Sequence, residues 1–277
     1  MAYPTLKVVR DLLESRSLAP QKRLGQNFLV DANVARKSLE LAAIEHNDLV
    51  VEIGPGLGAL STLLLEAQCQ VYAIEMDSGL HRYLQEEIAP LYPENFHLTH
   101  GDAMDMPVAS LPSETNTYKI VANLPYAIST PWLDAILAGT TLPTRMVLML
   151  QKEAAMRFIA DCGTGNYGPI SIFLKSAYDV EAIHKVSAQC FYPSPDVGSA
   201  LLSIKMKTEP ILFGTEIKNG IRQIFRQRRK QISSIVPKIE NPEPFKSWLK
   251  SLTSKGMSPT TRPEAISIEN WQKLVER

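Results

Sequence analysis

Val50 to Leu60 reads VVEIGPGLGAL, and the fold turns on how this stretch is read. A short apolar run, too brief for a helix of its own, ends on three alternating glycines and gives way to the helix-like LGALSTLLLEAQ. Strand, tight turn and helix in that order form the first half of a βαβ unit. Glycine at 54, 56 and 58 lets the backbone take left-handed torsions and approach a ligand closely. The spacing is G-x-G-x-G rather than the G-x-G-x-x-G that seats a dinucleotide pyrophosphate on a helix N-terminus. Glycine spacing alone leaves a purely structural turn and a dinucleotide dehydrogenase open as alternatives.

Working outward, helix-like and strand-like segments alternate from residue 38. SLELAAIEH predicts a helix, DLVVEI a short buried strand, and QVYAIEM a second strand after the glycine-capped helix. Next come a helix around GLHRYLQEEIA, a strand around FHLTHGD, the strand YKIVA, a helix from Pro131 to about Ala138, the strand RMVLML and a helix across QKEAAMRFIA. Such alternation predicts an α/β fold with a mostly parallel sheet and helices on both faces. ISIFLKSAYDVEAIHKV and SALLSIKMK read as longer strands around the turn-rich FYPSPDVG, closing the sheet with antiparallel edge strands. Beyond Thr208, IRQIFRQRRKQISSIV, PFKSWLKSL and ENWQKLVER read as amphipathic helices. Three regions are expected: a basic arm or lid over 1–37, a sheet domain over 38–207 and a helical domain over 208–277.

The chain has 277 residues, 45% of them hydrophobic, enough for one large domain with a small appendage. Apolar runs such as MVLML fall far short of the ~20 residues that span a bilayer, so no membrane crossing is expected. The N-terminus lacks the apolar core of a secretory signal and carries Asp11 and Glu14, which argues against cleaved targeting. Cys69, Cys162 and Cys190 form no C-x-x-C pair, and His46, His81, His97, His100 and His184 show no ligand spacing. Neither a disulfide framework nor a metal site is indicated, and a reducing cytoplasm fits. Formal net charge is zero but unevenly spread. Residues 1–37 carry seven Lys/Arg against three Asp/Glu, 38–207 nine against nineteen, and 208–277 thirteen against seven. Two basic ends around an acidic middle suit a bound polyanion; solvated basic helix faces are the alternative.

Two further strand ends give the glycine turn a partner. VYAIE ends in Glu75, where a carboxylate can accept both hydroxyl hydrogens of a ribose, and HGDAMD places Asp102 where it can accept from an exocyclic amine. A backbone cradle, a ribose acceptor and an amine acceptor suit an adenosine without pyrophosphate, which points to S-adenosylmethionine. At the end of the YKIVA strand stands NLPYAIST, Asn123 to Thr130. Asn123 offers a carbonyl acceptor, Pro125 fixes the chain so that the Leu124 carbonyl can be a second, and Tyr126 offers a face for a flat base. Acceptors around an aromatic amine favour the geometry in which its lone pair points at an incoming methyl group. The loop reads as a clamp for a planar amine or amide, with direct in-line transfer and no covalent enzyme intermediate.

With LGQNFLVD, EIGPGLGALS, IEMD, GDAMD, NLPYAISTP, LQKEAAMRF, NYGPISI, FYPSPDVGSA, FRQRRKQI and RPEAIS in one order, the chain resembles the ribosomal RNA small-subunit adenine N6,N6-dimethyltransferases of the KsgA type. The resemblance implies a Rossmann-like class I methyltransferase sheet with a small all-α C-terminal domain. It places S-adenosylmethionine contacts on Asn27, Leu29, Gly54, Glu75, Asp102 and Asn123. The target-adenine clamp falls on Asn123, Leu124, Pro125 and Tyr126, with Phe191 as a second stacking ring. The implied substrate is a pair of adjacent adenosines in the loop of the 3′-terminal hairpin of 16S rRNA, modified within the small subunit or its precursor late in assembly. A monomer without a metal is expected. The family's PPPKVDSAV appears here as PSPDVGSA, so Asp196 and Gly198 depart from it near Phe191.

Lys22, Arg23, Arg222, Arg226, Arg228, Arg229 and Lys230 are candidate contacts to RNA phosphates, which position a substrate without reading its sequence. QKRLGQNF reads equally as a cofactor lid or an ordered arm. Two other functions fit part of the pattern: methylation of a DNA adenine or protein amide, and a non-catalytic RNA-binding assembly or transcription factor.

Overall fold

A computed structural model describes residues 4–275. In chain order, the helix α1 (Leu6–Ser15), the two-residue strand β1 (Phe28–Leu29) and α2 (Ala32–Leu41) precede the sheet. The alternation then runs β2 (Leu49–Ile53), α3 (Ala59–Glu66), β3 (Gln70–Glu75), α4 (Ser78–Glu87), β4 (Phe96–His100), β5 (Lys119–Asn123), α5 (Ser129–Ile136), β6 (Arg145–Gln151) and α6 (Lys152–Phe158). It is followed by α7 (Pro169–Ala177), β7 (Tyr178–Val186), β8 (Phe191–Tyr192), β9 (Ser199–Met206), α8 (Thr215–Phe225), α9 (Ile232–Ile235), α10 (Glu243–Ser254) and α11 (Ile268–Gln272).

Seven strands form one sheet in the order β4-β3-β2-β5-β6-β9-β7. Neighbours from β4 to β6 pair in parallel, and β9 runs antiparallel to β6, with Ser199 opposite Gln151. Val50, Val51, Val71, Ala73, Ile120, Val121, Val147 and Leu148 are wholly buried. Successive residues of one strand face opposite sides, so their joint burial means that both faces of the sheet are covered. The sheet is the mixed, mostly parallel one expected.

Glu52 is an ionisable residue buried within this core. It is 1% exposed, on β2, and Ser61 of α3 donates its hydroxyl to Glu52 Oε2 at 2.6 Å. Burial, only partly opposed by the Ser61 hydrogen bond, pushes its pKa up to about 8, so the neutral acid predominates at pH 7.

The chain divides into two units, one comprising residues to Ala155 with Val180–Met206, the other Met156–Asp179 with Lys207 onward. A single cut near 207 does not foresee that Met156–Asp179 groups with the C-terminal helices. Within that second unit Trp248 stacks on Trp271 with ring centres 4.8 Å apart, Phe225 lies 5.8 Å from Trp271, and Tyr167 meets Phe225 edge-on. Tyr167 also donates its hydroxyl to the Ile266 carbonyl at 2.9 Å. Gly220 brings α8 against α10, since a Cβ there would stand 2.2 Å from the Phe245 ring.

Residues 6–15 of the arm form a helix. Three local expectations are corrected. The helix expected at Ser38 begins at Ala32, because the Asp31 carboxylate accepts from the backbone of Asn33 and Val34 and caps it, so residue 37 lies inside α2. The first half of ISIFLKSAYDVEAIHKV is helix α7, started by Gly168 and Pro169; its nearly complete burial hides the helical period that a half-exposed face would show. The basic run after α8 is a turn, with α8 ending at Phe225 and Arg228 drawn to Glu264 at 2.8 Å. Helical residues expected at Glu276 and Arg277 lie outside the described residues.

Glu52 gives a stability test with a definite sign. Its folded pKa of about 8 exceeds the usual 4.5, so its stabilising contribution is complete below pH 4.5 and is lost as pH rises toward 8. In urea titrations, wild-type stability should decline across that window by up to roughly 1.4 kcal/mol per pH unit from this group. Glu52→Gln should flatten the decline.

Candidate active site

Strand order reverses between β2 and β5: β3 and β4 lie beyond β2, β6 beyond β5. Open α/β sheets bind ligands in the crevice at the carboxyl ends of such a pair. A cavity of about 280 Å³ opens there, and Asn27, Leu29, Gly54, Glu75, Asp102, Asn123, Leu124, Pro125 and Tyr126 all line it. The structure thus brings together every predicted cofactor and clamp residue except Phe191. That ring is 3% exposed and packed in the core, on β8, where it pairs opposite Leu29 of β1. Phe28, which the sequence reading missed, presents an aromatic side chain to the cavity.

Gly54 and Gly56 have φ of +66° and +60°, torsions that favour glycine. A Cβ on Gly54 would stand 3.8 Å from Pro125, and one on Gly56 3.2 Å from the Phe28 ring. The glycine loop therefore lies against the Asn-Leu-Pro-Tyr loop on one side and the arm on the other. Glu75 is 5% exposed; its Oε1 accepts from Asp77 N at 2.9 Å and its Oε2 from Gly56 N at 3.0 Å. Burial raises its pKa while those two N–H groups oppose the rise. Each oxygen keeps a lone pair that can accept a hydroxyl. Asp102 Oδ1 accepts from Met104 N at 2.8 Å, which shapes the turn after β4.

Asn123, the last residue of β5, donates its side-chain Nδ2 to the Asn27 carbonyl at 2.9 Å. That bond commits the donor end of the amide to the arm and reserves Oδ1 as acceptor. Leu124 N donates to Met149 O at 3.2 Å, tying the clamp to β6. The Tyr126 hydroxyl pairs with Ser199 Oγ at 2.7 Å, and Tyr126 O accepts from Ser129 Oγ at 3.1 Å. Burial raises the Tyr126 pKa and the Ser199 contact lowers it. Neither Ser199 nor the Asn27 carbonyl carried a sequence signal, since each meets its partner only through pairing of distant segments.

Residues Arg23 to Leu29 of the arm form part of the cavity wall. Gln21 and Gln26 both donate to Asp77 Oδ2, Phe28 pairs with Tyr192, and the Arg10 guanidinium lies 5.2 Å over the Tyr192 ring. Of the predicted phosphate contacts, Arg23 is exposed and the side chain of Lys22 lies outside the described residues. In the second unit Arg226, Arg229 and Lys230 are exposed. Arg222 instead donates to Asn219 and lies 5.6 Å over Phe173, and Arg228 holds Glu264 and the Gly165 carbonyl, so these two guanidinium groups are engaged internally. Among the described residues no group of three or more His, Cys, Asp or Glu is placed to hold a metal ion, and no helix is long and apolar enough to cross a membrane.

Residues 18–276 match the family model described as ribosomal RNA adenine dimethylase. A relative from Opitutus terrae named ribosomal RNA small subunit methyltransferase A is 51% identical over 99% of this chain and 98% of its own length. One of the same name from Chlamydia muridarum is 36% identical over 99% and 98%. Among solved structures, a dimethyladenosine transferase from Plasmodium falciparum has a TM-score of 0.74 at 24% identity, covering 90% of this chain and 96% of that one. The 23S rRNA methyltransferase ErmE has a TM-score of 0.65 at 24% identity over 90% and 98%. Those two likenesses carry the fold, a class I methyltransferase sheet; the family model and the two sequence relatives carry more, and by them this chain belongs to the ribosomal RNA adenine dimethylase family.

Proposed function

We propose that the protein is an adenosylmethionine-dependent rRNA adenine N6,N6-dimethyltransferase acting on two adjacent adenosines in the loop of the 3′-terminal hairpin of 16S rRNA. It works as a cytoplasmic monomer on the small subunit or its precursor, late in assembly. The observation that carries this reading is that Glu75, Asp102 and Asn123 open into one cavity at the strand-order reversal.

The residues present fit the cofactor. Gly54 and Gly56 line the cavity in torsions that favour glycine and leave it free of side chains there, Glu75 retains acceptor capacity for a ribose, and Asp102 for an adenine amine. Acidic lining also suits a cationic ligand. S-adenosylmethionine, when bound, would supply an electrophilic sulfonium methyl group that an amine nitrogen can take in line, the methyl–sulfur bond breaking, the neutral thioether leaving and the nitrogen losing a proton to water, without a metal. Asn123 Oδ1 accepts from the N6 amine of the target base and holds its lone pair toward the methyl group. Pro125 keeps the clamp turned, and Tyr126 carries the base on its face, worth about 1–3 kcal/mol. Hairpin-loop adenines are already partly unstacked, which lowers the cost of extrusion. Arg226, Arg229, Lys230 and Arg23 serve as phosphate contacts.

Incubating the protein with adenosylmethionine and unmethylated small subunits, then digesting the RNA for mass spectrometry, should yield N6,N6-dimethyladenosine; unmodified adenine on correctly folded subunits would refute the proposal. Asn123→Ala should lower kcat about 10²-fold or more, as loss of a positioned polar group does, with RNA affinity retained. Calorimetry on Glu75→Ala should show adenosylmethionine affinity weakened about 10- to 100-fold, the worth of hydrogen bonds to a charged group. Replacing Arg226, Arg229 and Lys230 together with Ala should weaken RNA binding and reduce its salt dependence, while cofactor affinity stays at the wild-type value.

A further inference from the structure

We propose that Ser199 is a positioning residue for base methylation, fixing the tilt of the Tyr126 ring against which the target adenine stacks. The inference rests on the reading above that this ring receives the adenine. Two anchors hold the Tyr126 backbone: Pro125 O accepts from Ile128 N at 3.2 Å, and Tyr126 O accepts from Ser129 Oγ at 3.1 Å. Neither stops the side chain from rotating about its own bonds. The third anchor acts at the far end of the ring, where the Tyr126 hydroxyl meets Ser199 Oγ at 2.7 Å. Held at its backbone and at its hydroxyl, the ring has a fixed direction for its long axis, and that direction sets the tilt a stacked base follows.

Ser199 is itself placed firmly. It is 1% exposed, opens β9 opposite Gln151 of β6, and follows Gly198, whose carbonyl accepts from Lys152 N at 2.8 Å. Stacking by itself needs only a π-face, which phenylalanine would supply. A half-buried phenol, by contrast, calls for a polar partner, and a buried serine hydroxyl likewise. The pair thus exchanges two polar requirements for one defined ring orientation. In-line transfer is sensitive to that orientation, because a misplacement of about 1 Å can cost about 10²-fold in rate.

Ser199→Ala, Tyr126→Phe and the double variant form a cycle, read by single-turnover methylation of small subunits and by the fluorescence of 2-aminopurine replacing one target adenosine. Each single variant should lower kcat about three- to tenfold, the worth of one hydrogen bond, and reduce the fluorescence change on binding. The double variant should lose no more than either single, and adenosylmethionine affinity should stay within about twofold of wild type throughout. Wild-type kcat and fluorescence in Ser199→Ala would overturn the inference, as would a double variant whose loss is the product of the two singles. A parallel loss of cofactor and RNA affinity would also overturn it, by marking the hydroxyl pair as merely structural. Failure of the wild-type protein to methylate adenine would instead defeat the functional reading, so the two outcomes are separable.

Discussion

The reversal of strand order between β2 and β5 is the constraint from which the site follows. Two parallel strands lie side by side, about 4.8 Å apart, and the connections leaving their carboxyl ends diverge. One end carries the glycine loop and the other Asn123 to Tyr126. The two loops are close enough that a Cβ on Gly54 would be in van der Waals contact with Pro125, 3.8 Å away, and it is the φ of +66° that favours glycine there. The glycine loop and the Asn123–Tyr126 loop are therefore neighbours because of backbone pairing, before any side chain contributes.

Polar groups around the cavity are fixed by the protein first and left with spare capacity second. Glu75 spends one lone pair of each oxygen on Asp77 and Gly56, Asp102 spends one on Met104, and Asn123 spends its donor end on Asn27. Such groups need no reorganisation when a ligand arrives, and preorganised dipoles are worth more than ones that must turn. Asp77 extends the chain outward: its backbone N–H holds Glu75, its Oδ1 caps α4, and its Oδ2 receives Gln21 and Gln26. A short run of hydrogen bonds thus joins the arm to Glu75.

The glycine turn, Glu75, Asp102 and Asn123 were legible because each closes an apolar run, and a strand's end can be read from the run that precedes it. Helix α7 was not, since a segment buried on all sides shows no period. Arg228 read as a free cation like its neighbours, but its fate depends on Glu264 and Gly165, both remote in sequence. Asn27 was placed at the cofactor by resemblance, yet its contact to Asn123 is made by a backbone carbonyl, which every residue type possesses. Ser199 was equally silent: a serine at the start of an apolar strand has no signature until β9 is set against β6.

The fate of Phe191 shows how register, rather than residue type, selects the aromatic groups of the site. In the small β1-β8 pairing, Phe28 is opposite Tyr192 and Leu29 opposite Phe191. Opposite residues in an antiparallel pair share a face, and a slip of one position would exchange the faces. Phe28 stands against Gly56 and lines the cavity, whereas Phe191 is enclosed in the apolar core and does not line it. A ring so enclosed cannot leave without opening apolar packing, so in the proposed reaction the stacking of the target base falls on Tyr126. The hydroxyl of Tyr126, which contributes nothing to stacking, then acquires its purpose in holding the ring to Ser199.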